Sequence, residues 1–421
     1  MIEILGFFLV TFITICFART IARFLRIPTL VVYIIAGILA GPSGLKLIKD
    51  ASSLSYFYEL GIVLLMFSAG LELKIRHPSG RKESLGLLCT FNMLIPGICG
   101  FILGLFIAKY FYLGNQIYIA FYMVTLVSSP ASEVIVQMFR ELMRKFEFKK
   151  KIFSQYLVMS SIIADIVSLF LFTGIVALFT IKNLYGLLKF VIYTIAFLVI
   201  VIKALPIFQE KVLKKITGMK TSEDETTTLL MLVVIVVSAG ALLNIPAIAC
   251  AYFAGISLAN TQINRRVQNN IDFMASGIFV PIVFIIIGSQ VNLTIFRYTE
   301  NLLLATIIIL CLIVIRTLSV YSVSRMWGFS ARDASGFGFS TVPQLTGTLA
   351  IAVGSFQLGI IPEALFNSIV ILSVITTILG SFLSRILLFP GLTIRQERIP
   401  LVEDFTHFDI KPFNLLTSIC D

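Results

Sequence analysis

The sequence predicts an all-α polytopic membrane protein of 13 transmembrane helices, arranged as two inverted six-helix repeats, and three observations predict it. Of its 421 residues, 58% are hydrophobic and only 13% charged, so the bulk of the surface faces lipid rather than water. Apolar runs of about 18 residues or more, long enough to cross a hydrocarbon core of about 30 Å, recur from one end to the other. Two stretches of the first half also return, in order, in the second.

The runs fall at 4–24, 28–44, 55–73, 84–109, 116–140, 152–179, 184–208, 226–243, 246–261, 271–290, 300–326, 332–355 and 363–388. The first begins almost at Met1, but Arg19, Arg23 and Arg26 follow its apolar part and no small-residue cleavage site appears, so it is expected to be a membrane helix and not a removable signal peptide. The eighth and ninth runs nearly merge. The chain then divides into a first repeat at 1–180, a linker helix and cytoplasmic loop at 181–225, a second repeat at 226–389, and a short cytoplasmic tail at 390–421.

The net charge of +11 has a topological cause. With the N-terminus outside, alternate loops and the tail hold 26 Lys and Arg, including Lys74, Arg76, Arg81, Lys149, Lys211 and Arg265, whereas the outward loops hold six: Lys46, Lys49, Lys109, Lys182, Lys189 and Arg297. This positive-inside pattern predicts a cell-membrane protein with its N-terminus outside and its C-terminus cytoplasmic, and only an odd number of spans satisfies both ends. No nucleic-acid partner is implied. Cys16, Cys89, Cys99, Cys250 and Cys311 lie inside apolar runs without a CxxC pair, and His77 and His407 lie in a loop and the tail, so neither a resident metal nor a cofactor is expected.

IPTLVVYIIAGI (27–38) aligns with IPAIACAYFAGI (245–256), and GIVLLMFSAGLEL (61–73) aligns with GIFVPIVFIIIGSQVNL (277–293) across a gap of two residues. Six spans per half with a seventh as connector make the second half enter the membrane from the opposite side. Such inverted repeats build secondary transporters, whose sites lie near the midplane where helices are broken. Each half supplies a candidate break at the corresponding span: SSPASE (128–133) in the fifth and STVPQLTG (340–347) in the twelfth. Pro130 and Pro343 remove helix donors, while Ser132, Thr341, Gln344, Thr346 and Gly347 can re-satisfy or expose the freed backbone groups. Read alone, either proline is an ordinary kink; matched positions in two halves favour function.

Three ionisable residues sit deep in the runs: Asp165 in the sixth, Arg316 in the eleventh and Glu133 about a turn beyond the break in the fifth. A central Asp or Arg costs ~2.5–3.5 kcal/mol on insertion scales, so each needs a partner or a water-filled cavity. Asp165 is either half of a structural ion pair with Arg316 or the transport site. On a helix Ser161 and Ser168 share its face, and Ser128 and Ser129 add hard oxygen ligands if the broken helix crosses nearby, which suits a small hard cation. A proton suits the site equally, because burial disfavours a charged carboxylate and a nearby arginine favours it. One carboxylate that holds either H+ or a cation is enough for exchange. Three roles fit Glu133: second ligand, partner of Arg316, or residue of a cytoplasmic funnel.

Together these stretches resemble the monovalent cation/proton antiporter superfamily, in the second branch that includes NapA-like Na+/H+ antiporters and Kef-type potassium transporters. The resemblance covers about residues 20–390 and is carried by IPTLVVYIIAGILAGPSGL, ELGIVLLMFSAGLEL, the SSPA break, ADI around Asp165, FVPIVFIIIGSQVNL and the run from Arg316 to Gly336. It implies a scaffold or dimer unit (spans one to three and eight to ten) and a mobile core (four to six and eleven to thirteen). In that core two broken helices cross, and it carries the ion by elevator motion in a homodimer. Relatives commonly read Asp-Asp, Asn-Asp or Gln-Asp where this chain has Ala164-Asp165, so only the ion-binding aspartate carries over. The basic residue of the eleventh span is often lysine, whereas Arg316 does not release its proton. One titrating carboxylate implies electroneutral exchange of one cation for one proton. At PQLT (343–346) many Na+/H+ members read Pro-Arg-Gly-Glu; the loss of both charges leaves K+ open beside Na+.

Two rivals remain: a cation channel or uncoupled pore lined by Asp165, and a sodium-coupled organic-anion symporter in which Arg316 binds the anion. No nucleophile, base and orienting group assemble into an enzyme site. Gly100 and Gly104 form a GxxxG motif available for packing between copies.

Overall fold

A computed structural model describes residues 2–25, 27–48, 55–72, 82–142, 148–181, 183–209, 221–259, 261 and 265–388. Much of the charge asymmetry, including Lys74, Arg76, Arg81, Lys145, Lys211, Lys214, Lys215 and Lys220, lies outside them, as do His77 and the tail 390–421 with His407.

The described residues form helices and connecting turns, with no strand among them. In order these are α1 (Ile2–Leu25), α2 (Thr29–Ala40), α3 (Ser55–Glu72) and α4 (Lys82–Cys89), which runs through a π-turn (Thr90–Leu94) into α5 (Ile95–Tyr110). Next come α6 (Gln116–Ser128), α7 (Ser132–Leu142), α8 (Phe148–Thr180), α9 (Leu184–Ile207), α10 (Ser222–Leu242) and α11 (Ala247–Ala259). The chain continues with α12 (Arg265–Met274), a π-turn (Ala275–Phe279), α13 (Val280–Ser289), α14 (Thr299–Met326), α15 (Ala331–Ser340), α16 (Thr346–Gln357) and α17 (Glu363–Leu388).

Among the described residues eight helical stretches are long and apolar enough to cross a membrane, and four shorter apolar helices accompany them, at Gly6–Ala18, Thr29–Ala40, Tyr56–Leu71 and Ala247–Ala259. The run expected at 28–44 is helical only to Ala40, because Gly41 precedes Pro42 and takes extended backbone (φ −75°, ψ −175°). The runs at 116–140 and 332–355 are each two helices. The short loop at 243–246, with Asn244 at φ 60°, separates the two runs that nearly merge in sequence.

Backbone proximity, made possible by glycine, sets the helix pairing. A Cβ on Gly37 of α2 would lie 2.2 Å from the Ile285 carbonyl of α13, and one on Gly288 of α13 would lie 2.2 Å from the Ile34 carbonyl of α2. Gly70 of α3 and Gly255 of α11 meet in the same way, each facing the other's backbone at 2.4 and 2.3 Å. In lipid, where apolar side chains gain little by leaving their surroundings, such close approach lets helices associate through van der Waals packing. Gly100 and Gly104 follow the same logic within the chain: they receive α6 at Met123 and Ala120, so this GxxxG motif is occupied internally and is not free to join copies.

Gly255→Val is expected to force α3 from α11 and destabilise the protein by at least about 1–3 kcal/mol, the usual penalty of overpacking. Gly86→Ala, at a position with nothing within 4 Å, is the matched control and should leave the melting temperature in detergent unchanged or raised. Equal melting of the two variants would remove the packing argument.

A smaller apolar cluster fastens one end of the remaining helices. Phe153 of α8 packs its ring 4.7 Å from Phe337 of α15, 5.1 Å from Phe329 and 5.2 Å from Trp327 at the end of α14. Beside it Lys150 and Asp333 form an ion pair at 2.7 Å, and Asp333 also closes the start of α15 by donating its N–H to Ser330. These contacts hold α8 and α15 together below the two breaks.

Candidate ion site at two broken helices

Proline makes both breaks. Ser129 precedes Pro130, is disfavoured in the helical region, and adopts φ −105°, ψ 107°, so α6 stops at Ser128 and α7 starts afresh at Ser132. Pro343 similarly ends α15 near Thr341, and Leu345 (φ −142°, ψ −97°) leads into α16. The two extended segments touch: the Ala131 N–H donates to the Pro343 carbonyl at 2.9 Å. Gly380 of α17 permits this, since a Cβ there would strike Pro343 at 2.7 Å and the Phe339 carbonyl at 2.9 Å. Gln344 is buried; its side-chain carbonyl accepts from Thr348 and its backbone carbonyl from Thr377 at 3.4 Å.

Arg316 lies on one side of this crossing and is fully buried. Its Nε donates to the Thr341 carbonyl at 3.1 Å, and its Nη1 donates to the Asn92 carbonyl at 2.6 Å and the Ser128 carbonyl at 3.4 Å. Two of these acceptors are the C-terminal ends of α6 and α15, where the helix dipole is negative and carbonyls lack partners. The third is free because Pro96, four residues on, has no N–H to give it. No ion pair joins Arg316 to Asp165 among the described residues, so of the two alternatives for Asp165 the structural pairing is not the one seen here.

Asp165 faces the other way, into a cavity of about 220 Å³. Met66 and Ala69 of α3 and Tyr252 of α11 form one wall; Ser129, Ser132 and Glu133 around the first break, Asp165 and Ser168 of α8, and Thr346 and Gly347 of α16 form the other. Ser129 donates its hydroxyl to Oδ1 of Asp165. Glu133 Oε1 accepts the Thr346 N–H at 3.2 Å, at the start of α16. A Cβ on Gly347 would meet nothing within 4 Å, so bare backbone borders the cavity there.

Asp165, Ser129, Ser132, Glu133 and Thr346 are thus brought together, and Ser168 joins them while donating to the Thr125 carbonyl at 2.8 Å. Ser128 and Ser161 are not cavity residues. The Ser128 hydroxyl is buried without a partner, and Ser161 donates to the Leu157 carbonyl at 2.8 Å while accepting from Asn92 Nδ2 at 3.0 Å. Asn92 and Tyr252 are the residues that sequence reasoning passed over. A polar Asn four residues before a proline in an apolar run was the available signal for the first; Tyr252 offered none.

Residues 9–389 match the family described as sodium/hydrogen exchanger, transmembrane. A probable Na+/H+ antiporter 3 of Methanocaldococcus jannaschii is 24% identical over 374 residues, covering 88% of this chain and 92% of that protein. The Na+/H+-K+ antiporter GerN of Bacillus cereus is 24% identical over 355 residues, covering 84% and 88%. Among solved structures, the sodium proton antiporter MjNhaP1 of Methanocaldococcus jannaschii at pH 8 shares the fold with a TM-score of 0.68 at 16% identity, over 92% of this chain and 99% of that one.

Proposed function

The chain belongs to the sodium/hydrogen exchanger family, and on that premise we propose that it exchanges a monovalent cation, Na+ or K+, for H+, with the two ions competing for Asp165. The family is one of transporters, so no enzymatic reaction is assigned. Relatives named for Na+/H+ and for Na+/H+-K+ exchange keep both cations in the proposal.

The observation that carries the reading is the Asp165 carboxylate, which borders a cavity, is engaged by a hydroxyl of a helix break, and is not tied to Arg316. Carboxylate and hydroxyl oxygens suit a hard cation. Asp165, Ser129 and Ser132 are the proposed ligands, whereas Ser128 and Ser161 support the wall from behind. The starts of α7 and α16 border the same cavity as the carboxylates, and the ends of α6 and α15 meet Arg316, so each dipole end faces the opposite charge. Pro130, Pro343, Thr341 and Gln344 keep the breaks in place.

The finer architecture is part of the proposal. Aligning 27–38 with 245–256 and 61–73 with 277–293 carries Gly37 onto Gly255 and Gly70 onto Gly288, so the contact Gly37–Gly288 becomes the contact Gly255–Gly70. That exchange supports two inverted repeats (1–180 and 226–389) joined by 181–225, and hence 13 crossings with N-terminus outside and C-terminus cytoplasmic in the cell membrane. Because α3 and α11 form one cavity wall and α7, α8 and α16 the other, sliding of the second group past the first, as an elevator in a homodimer, moves the site between the two sides.

The test is dissipation of a pH gradient in proteoliposomes on addition of Na+, K+ or Li+. Coupled, saturable proton movement is expected; conductive flux would favour the channel instead. One exchanging carboxylate and a non-titrating Arg316 predict electroneutral exchange. With ion and proton gradients imposed, no reversal potential displaced from zero should appear, and a measurable one would sink the stoichiometry.

A further inference from the structure

Glu133 is the charged residue of the cavity that exchange at Asp165 leaves without a task. It stands in the first turn of α7, on the same wall as Asp165, half-buried, and one carboxylate oxygen holds the Thr346 N–H of the other half-helix. No ion pair joins Glu133 to Arg316 among the described residues: the guanidinium donates through Nε and Nη1 to three carbonyls at the breaks, and its buried Nη2 has no partner. Of the three roles open at the sequence level, second ligand, partner of Arg316 and residue of a cytoplasmic funnel, the pairing with Arg316 is not seen among the described residues.

The crossing is joined twice by backbone donors. Ala131 N–H binds the Pro343 carbonyl, and Thr346 N–H binds Glu133. The first link is made by main chain alone and survives any substitution that keeps the prolines. The second depends on one side chain. It fixes the start of α16 to the start of α7, and so fixes where Thr346 and Gly347 border the cavity. Only one oxygen of Glu133 is engaged in this way. Its negative charge therefore adds to that of Asp165 in a cavity whose other polar members, Ser129, Ser132, Ser168, Tyr252 and Thr346, are uncharged at neutral pH.

We propose that Glu133 is a positioning residue for transport, which pins the two half-helix starts together and supplies a second, non-exchanging negative charge that strengthens cation binding at Asp165. The inference rests on the antiport reading of the same site. It adds that the cavity holds two carboxyl groups of which only Asp165 exchanges.

Three variants separate the parts in proteoliposomes and in detergent. Glu133→Gln keeps an acceptor oxygen for Thr346 and removes the charge, so the KM for Na+ or K+ should rise about tenfold, as a unit charge lost at short range in a partly screened site requires. Its melting temperature should hold, and exchange should stay electroneutral. Glu133→Ala removes acceptor and charge together and should show the same rise in KM with, in addition, a lower melting temperature and a lower maximal rate. Glu133→Asp keeps the charge and should restore much of the KM.

An unchanged KM in Glu133→Gln would overturn the charge assignment. Equal melting of Glu133→Ala and Glu133→Gln would overturn the pin. A reversal potential differing between wild type and Glu133→Gln would mean that Glu133 itself exchanges a proton, which also overturns the proposal. Asp165→Asn measured alongside keeps the two readings apart: persistent exchange there defeats the antiport site, whatever Glu133 does.

Discussion

Asp165→Asn is expected to lower exchange at least about 100-fold, because a unit charge in contact with a cation in a site of intermediate dielectric is worth several kcal/mol. The substitution preserves volume and still offers an oxygen to Ser129, so the break and the cavity wall should survive. What is lost is the charge that binds the cation and the group that takes the proton. Dissipation of a pH gradient by Na+, K+ and Li+ measures the loss, with gel filtration in detergent confirming that the variant is folded. Retention of more than a tenth of wild-type exchange would remove Asp165 from the centre of the mechanism. Competition adds a second signature in the wild type: lowering the pH on the cation side should raise the apparent KM for the cation and leave the maximal rate at saturating cation unchanged. A channel lined by the same carboxylate shows no such trade.

The reach of sequence reasoning follows from which interactions are local. Apolar length and proline are local properties, so the all-helical class and both breaks were legible, and Asp165 stood out because a charge in an apolar run has few explanations. The choice between Ser128 and Ser129 was not legible. Ser128 ends α6 as a helical residue while Ser129, before the proline, is extended, so the hydroxyl of Ser129 meets Asp165 whereas that of Ser128 is buried without a partner. On α8 the spacing put Ser161 and Ser168 on the face of Asp165, but that face is wide enough to serve two neighbours: Ser161 meets Asn92, while Ser168 meets the cavity. Contacts across long separations, such as Glu133 with Thr346, leave no trace in spacing at all. The role of Arg316 was half legible, since the need for a partner was clear but backbone carbonyls, which every residue carries, cannot be singled out in a sequence.

That role gives the second large prediction. Arg316→Lys should destabilise the protein strongly although charge is kept, because a single ammonium cannot reach three carbonyls that diverge from Asn92, Ser128 and Thr341. Each buried carbonyl left without a donor costs about 1–3 kcal/mol, so two orphans correspond to roughly 2–6 kcal/mol. Arg316→Met, which orphans all three, should be worse and lower the melting temperature further. If Arg316 instead existed mainly as counter-ion to Asp165, neutralising both would repair the damage. The double variant Asp165→Asn with Arg316→Met decides between the two. The carbonyl role predicts that it melts close to Arg316→Met alone, with a coupling no larger than about 0.5 kcal/mol, as for sites without a shared partner. Recovery of wild-type melting in the double variant would return Arg316 to the ion-pair role. It would also mean that the two half-helix ends tolerate one another without a cation between them, which their aligned dipoles argue against.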